Sequence, residues 1–380
     1  MKFIACITCL FFFLTCNGQE SKKSGEGIRL DFTKAADEAI KMSSVIDNVR
    51  AIPLETKDDF LVSSISKMRY VDEKFFIFDS RQKAILVFDK DGKALFKINN
   101  SGGGPDEYVE IRGFDVNEKL KQIVLNVSLQ KLFFYDFEGH LIKKENLKIT
   151  STDIAWGNDA MIFDTGHMKN DYEDTEGGYC FVVKPASEDK YKGYMPFSFE
   201  EMGHHVYRFQ QPRSFVHVAD EILFFEPFSN MIYSVVGDKA NVKYLLDFGN
   251  KNIPSGFFSR YNDMDKAVDE LEDGSYAYAF NSVWENDKYL GIDCTYDADH
   301  HTLVYDKRQK KLFTKGLKDD ILICWPEVAE ATNQYLVGYR FADDLLYQFD
   351  EKAEMPDLKR QLLTSINEES NPVVFLYYFK

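Results

Sequence analysis

The sequence predicts an all-β chain folded as a six-bladed β-propeller with short helical insertions, and three observations carry that prediction. First, KFFIFDSRQKAILVFDKDGKALFKI (74–98) aligns without a gap on KQIVLNVSLQKLFFYDFEGHLIKKE (121–145), which places Phe88 and Asp89 on Tyr135 and Asp136, and Gly92 on Gly139. Second, each unit holds two apolar runs, a polar break and an Asp-Gly or Glu-Gly step before a further strand. Such steps supply the positive φ of a tight hairpin, so the unit is an antiparallel meander. Third, looser copies follow, each entering an aromatic-rich strand from a polar or acidic residue. They make six units between Ser64 and the C-terminus, at the period of roughly 40 to 50 residues typical of propeller blades. A four-stranded sheet with two apolar faces cannot bury both alone, so the copies stack radially around a channel.

The elements follow in chain order. MKFIACITCLFFFLT (1–15) carries Lys2 as its only charge; it is short for a bilayer span and has the form of a secretory signal. Cys16 follows it, and then the polar stretch NGQESKKSGEG. Leu14-Thr15-Cys16 resembles a bacterial lipoprotein signal, whose cysteine becomes the lipidated first residue. The organisation is therefore a signal peptide at 1–15, a flexible tether at 16–27 and a propeller domain at 28–380, with no membrane contact beyond the lipid. Cys180, Cys294 and Cys324 each lie in an apolar run and read as small buried hydrophobes rather than a disulfide framework.

NVRAIPLET (48–56) precedes the first blade and NPVVFLYYFK (371–380) ends the chain. Both are expected to complete the last blade, which removes the open edges of the ring. Helical spacing at Leu345, Leu346 and Phe349, and again at Leu358, Leu362 and Ile366, marks an insertion in that blade. SRYNDMDKAVDELEDG (259–274) reads as another, between blades four and five.

On this scheme NNSGGGPDEYVE (99–110) joins the outermost strand of blade one to the innermost strand of blade two. It must turn sharply as it crosses the disk, which suits Gly102, Gly103, Gly104 and Pro105. A phosphate loop is not indicated, because the glycines run into acids and a strand rather than into Lys-Ser/Thr and a helix. The GGGPDEY stretch resembles the Gly-x-Gly-Pro-Gly-Glu-Tyr signature of the Bacteroides-type six-bladed β-propeller lipoproteins, a family without a defined activity. IPLET, VFDKDGK and NPVVFLYYFK extend the likeness over most of the chain. The matching positions are Gly102, Gly104, Pro105, Glu107 and Tyr108, with Asp106 in place of the usual glycine. The resemblance implies fold and envelope location, not chemistry.

Composition narrows the function. A chain of 380 residues that is 44% hydrophobic and 15% aromatic can bury a large core. Its formal charge of −16 repels the phosphate backbone of nucleic acid. No Gly-x-Ser-x-Gly elbow or His-Glu-x-x-His helix occurs, and no Cys-x-x-Cys pair occurs after the signal segment 1–15. The adjacent histidines 204–205 and 300–301 point to opposite faces of an extended strand and cannot chelate as pairs. His167, His205 and His217 come from different blades, and no spacing demands that they converge. Asp79, Asp89, Asp136, Asp164 and Asp306 recur singly at strand ends, where Asp accepts turn hydrogen bonds, rather than in a calcium loop. The expectation is no metal and no cofactor.

Glu107 and Tyr108 offer a ligand contact at the channel or a pin for the crossing loop. The insert FEEMGHHVYRFQQPRSF (199–215) carries His205, Tyr207, Arg208 and Arg213, which supply aromatic stacking and anion-directed donors. Together these features suggest a non-enzymatic binding and interaction module, tethered through Cys16 as an outer-membrane lipoprotein of the bacterial cell envelope. Its top-face loops would recognise a glycan, a peptide or a partner protein. The alternative is a metal-dependent hydrolase or lyase with its site in the central channel.

Overall fold

The computed structural model describes residues 27–170, 178–198, 213–261, 263–274, 276–322, 324, 326–347 and 357–380. Cys16, His205, Tyr207 and Arg208 lie outside the described residues.

Six four-stranded antiparallel meanders form a ring. Blade one comprises Lys67–Val71, Lys74–Asp79, Ala84–Asp89 and Ala94–Ile98; blade two comprises Ile111–Asn117, Gln122–Val127, Lys131–Asp136 and Leu141–Asn146. Blade three holds Asp153–Trp156, Ala160–Asp164, Gly178–Pro185 and Lys192–Phe197; blade four holds Phe215–Val218, Glu221–Phe224, Met231–Val236 and Lys239–Asp247. Blade five is built from Tyr278–Glu285, Tyr289–Tyr296, Asp299–Asp306 and Lys311–Phe313. Blade six takes Glu327–Ala331, Tyr335–Arg340 and Val373–Phe379 from the end of the chain and Ile46–Pro53 from its beginning. The first strands of neighbouring blades contact one another from blade four round to blade three, and Ser214, at the head of blade four, donates its N–H to Asp153 of blade three, so these strands line the axis.

Two-sided burial explains the apolar runs. Strand side chains alternate between faces, and along Lys74–Asp79 Phe76 and Phe78 enter the core shared with blade two, while Phe75 and Ile77 enter the core shared with blade six. Six such cores, one between each pair of neighbouring blades, close the ring. Gly92 and Gly139 adopt φ of +83° and +87° in equivalent hairpins, the left-handed conformation that the Asp-Gly and Glu-Gly steps imply.

The insertions form the helices Met264–Asp273, Ala342–Tyr347 and Asp357–Ser365. No helix among the described residues is long and apolar enough to cross a membrane. One feature is not apparent in the sequence pattern. Before it enters blade six, the chain runs as a strap around the rim. Ile28–Asp31 pairs parallel with Tyr244–Asp247 of blade four, Ala36 bridges to Phe313 of blade five, and Ile40–Lys41 pairs with Leu317–Lys318. The strap covers edges that the outer strands would otherwise expose.

Candidate functional site

The axis is filled by charge. Lys67 and Arg69 come from the first strand of blade one, Asp115 from blade two, Asp153 from blade three, His217 from blade four and Glu330 from blade six. Arg69 pairs with Asp115, and its Nε donates to Glu330 Oε2 at 2.9 Å. Asp115 Oδ2 also accepts from His217 Nε2 at 2.7 Å and from the Trp156 backbone N–H at 2.6 Å. Lys67 Nζ lies 3.1 Å from Asp153 Oδ1 and donates to the Ile154 carbonyl at 3.1 Å. Gly113 lets the inner strands of blades two and three approach, since a Cβ there would lie 2.9 Å from the Asp153 Cα.

The network sets the protonation states. Burial, reinforced by the Arg69 charge, pushes the His217 pKa down against the pull of Asp115. The ring is therefore neutral at pH 7, with its Nε2–H donated to Asp115. Burial opposes ionisation of Asp115, but its attraction to His217 and Arg69 outweighs that and holds its carboxyl far below the usual range. Arg69 and the hydrogen bonds from His217 and Trp156 sustain this carboxylate once the ring is neutral.

Above this floor a cavity of about 540 Å³ opens on the face that carries the turns between the first and second strands of each blade. All six blades line it. Tyr70, Trp156 and Tyr335 supply aromatic rings, and Asn117, Asn158 and Asn333 supply amides. Six carboxylates, Asp72, Glu118, Asp220, Glu221, Glu285 and Glu330, stand against two cations, Arg69 and Lys119. Glu285 is committed to structure, holding Lys243, Lys307 and the Tyr244 hydroxyl. Among the described residues, the side chains of Glu118, Lys119, Asn158 and Asp220 make no hydrogen bond or ion pair to another residue.

Of the described residues expected from the sequence, Glu107 and Tyr108 lie in the loop between blades one and two on the opposite face, and Arg213 lies at the head of blade four. Tyr108 is 2% exposed; its hydroxyl donates to the Lys83 carbonyl at 3.1 Å and accepts from the Asn100 N–H at 3.2 Å. Burial pushes its pKa up to about 12. It pins the crossing loop and is not open to a ligand. Glu107 accepts from the Gly104 N–H at 2.7 Å, and Lys144 donates to Asp106 and to the Pro105 carbonyl.

Neither Gly102 nor Gly104 is left-handed, and Asp106 likewise has no positive φ. At Gly102 close approach rather than φ is the notable feature: the Glu107 carboxylate folds over it, and a Cβ there would lie 2.0 Å from Oε2 and displace that side chain. Arg213 reaches across the axis to the carbonyls of Val328 and Ala329 at 2.7 and 3.2 Å. A more open groove of about 580 Å³ on that face is lined by blades one and six and the helical insertion, with Ser64, Arg81, Glu327 and Asp343 among its walls.

Among the described residues, the histidines do not converge. His217 binds Asp115 in the channel, His167 pairs with Glu226 at 3.1 Å, and His140 and His301 serve local turns. Asp79, Asp89, Asp136 and Asp306 accept backbone N–H groups at strand ends, as expected. Cys180, Cys294 and Cys324 are free and buried; burial pushes the Cys324 thiol up to about 12.

The comparisons with known proteins agree with this architecture. The structure is similar to that of a Bacteroides fragilis protein named "Putative exported protein", with a TM-score of 0.71 and 18% identity over 93% of this chain and 99% of the other. It is also similar to a member of the DUF4221 family from Bacteroides vulgatus, with a TM-score of 0.49 and 9% identity over 88% of this chain and 97% of that one. No curated protein matches the sequence. Residues 27–378, which hold every blade and the strap, match the domain of unknown function DUF4934, and this six-bladed β-propeller therefore belongs to the DUF4934 family.

Proposed function

We propose that the protein is an envelope binding module that takes a neutral or amino-sugar glycan into the channel mouth. The observation that carries this reading is the lining of that cavity. Aromatic rings stand beside one amide, Asn158, and two carboxylates, Glu118 and Asp220, whose side chains make no bond among the described residues; these are the groups needed to stack on a sugar ring and accept its hydroxyl protons. Its volume lies within the roughly 300 to 1,000 Å³ usual for small-ligand sites. The excess of carboxylates disfavours anionic ligands. This reading shifts recognition from the loop face expected from the sequence to the turn face, where all six blades contribute. Cys16 and the segment before it, together with the likeness to a protein named for export, support a lipid tether in the bacterial envelope.

An oligosaccharide array with neutral, amino-sugar and uronate members tests the site. Neutral or amino-sugar members should bind, uronates should not, and Tyr70→Ala or the pair Glu118→Gln/Asn158→Ala should weaken binding about tenfold or more, the equivalent of roughly 1.4 kcal/mol. Binding that is indifferent to these substitutions, or confined to uronates, would overturn the proposal. The anchor is tested separately by membrane fractionation. Cys16→Ser should move the protein to the soluble fraction, and unchanged membrane attachment would refute the tether.

A further inference from the structure

Away from the channel mouth, blades three and four bring together a histidine, a cysteine and a glutamate. His167 follows the strand Ala160–Asp164, Cys180 lies on Gly178–Pro185, and Glu226 follows Glu221–Phe224 of the next blade. His167 Nε2 lies 3.4 Å from Cys180 Sγ and 3.1 Å from Glu226 Oε1, and the three donor atoms all fall within 4.8 Å of one another. Zinc–ligand lengths of about 2.3 Å to sulfur and about 2.0 Å to nitrogen or oxygen put tetrahedral donors about 3.3 to 3.6 Å apart. The two separations from His167 Nε2 are already close to that.

The loop that presents the imidazole is held in place. Thr165 to Met168 forms a tight turn closed by the Met168 N–H on the Thr165 carbonyl at 3.1 Å. Gly166 and His167 at its centre have φ of +56° and +55°. Glycine takes that conformation freely, whereas histidine there is held against its preference. Thr165 is fastened to the Cys180 strand through the carbonyls of Tyr179 and Cys180 at 2.6 and 3.1 Å. The Phe197 ring packs edge-on against the imidazole, with centroids 4.9 Å apart.

We propose that His167, Cys180 and Glu226 bind a divalent first-row transition metal, zinc by its ligand preference. Thiolate and imidazole select against the hard cations calcium and magnesium. One thiolate and one carboxylate balance a charge of +2, and the Cys180 proton leaves to solvent as the sulfur–metal bond forms. Three protein donors are the number found in sites that keep a fourth position for water or an exogenous ligand.

The test is cobalt titration of the metal-stripped full chain, followed by near-UV and visible absorption. One equivalent of Co²⁺ should give a sulfur-to-cobalt charge-transfer band and the visible bands of a four-coordinate ion, both abolished by Zn²⁺. Cys180→Ser should remove the charge-transfer band while the other cysteines remain. Glu226→Gln, nearly isosteric, should loosen binding at least about tenfold with its far-UV circular dichroism unchanged. No charge-transfer band in the wild type, its survival in Cys180→Ser, or undiminished affinity in a folded Glu226→Gln protein would each overturn the assignment. The cluster would then be an ion pair of His167 and Glu226 beside a buried thiol.

Discussion

Lys67 and Asp153 form the most deeply buried ion pair of the channel, with side chains 3% and 2% exposed. Asp153 also accepts N–H groups from Ile154 and Ser214. Taking two charges out of water is costly, and such a pair persists because each partner compensates the other. Lys67→Met keeps the volume and removes the compensation, so it should cost about 3 to 5 kcal/mol of stability. Burial already raises the Asp153 pKa, with Lys67 the leading opposing influence; without Lys67 it rises further. The folded variant then binds a proton that the unfolded chain releases above about pH 4. Relative to the wild type, whose own Asp153 pKa is already raised, the deficit therefore grows as pH rises from the wild-type pKa towards the variant's higher one, and it is larger at pH 7 than at pH 4. Urea unfolding at pH 4 and pH 7 measures this, and Lys67→Met/Asp153→Leu should recover most of the loss. A cost below about 1 kcal/mol at both pH values would show that the pair is not the compensated charge described here.

The strands and hairpins were the most legible part of the chain, because one physical cause, burial on both faces, writes itself into each. KFFIFD and KLFFYD are apolar at successive positions since neighbouring blades claim alternate side chains. Gly92 and Gly139 announce their turns through a conformation that few other residues accept. Rim and axis were less legible. Strap strands of four and two residues are too short to show a period, and their parallel partners lie more than 200 residues away.

Polar residues on the inner strands, such as Arg69 in KMRYV and Asp115 in IRGFDVN, look like the solvent-facing half of an ordinary strand. Only closure of the ring turns that half inward. The same holds for Cys180: GYCFVV describes a buried thiol correctly, but His167 and Glu226 reach it through a turn and the next blade. The crossing loop shows a subtler gap. Its glycines were legible as a joint, while the close approach at Gly102, where the Glu107 carboxylate folds over it, required the loop's own path.

Closure of the ring rests on one strand. Ile46–Pro53 pairs along its length with Val373–Phe379, from Ile46 against Phe379 to Pro53 against Val373. Ile46, Val49 and Ile52 are 3%, 8% and 3% exposed, in the cores that blade six shares with blades five and one. Burying each is worth about 1.5 to 3 kcal/mol, which together approaches the roughly 5 to 15 kcal/mol that separates folded from unfolded domains. Removing the strand also bares the edge of VVFLYYF, an apolar β-rich run of the kind that pairs with other chains. Two truncations separate closure from the strap. A chain beginning at Ile46 loses the strap but keeps the strand; it should keep the association state of the full chain and unfold in one urea transition at a lower midpoint. A chain beginning at Leu54 loses both and should associate, with a broad or multiple transition. Light scattering after size exclusion and urea unfolding followed by tryptophan fluorescence distinguish them. Identical behaviour of the two would mean that the ring is held by its inter-blade cores alone, and that the strand from the start of the chain covers an edge without closing anything.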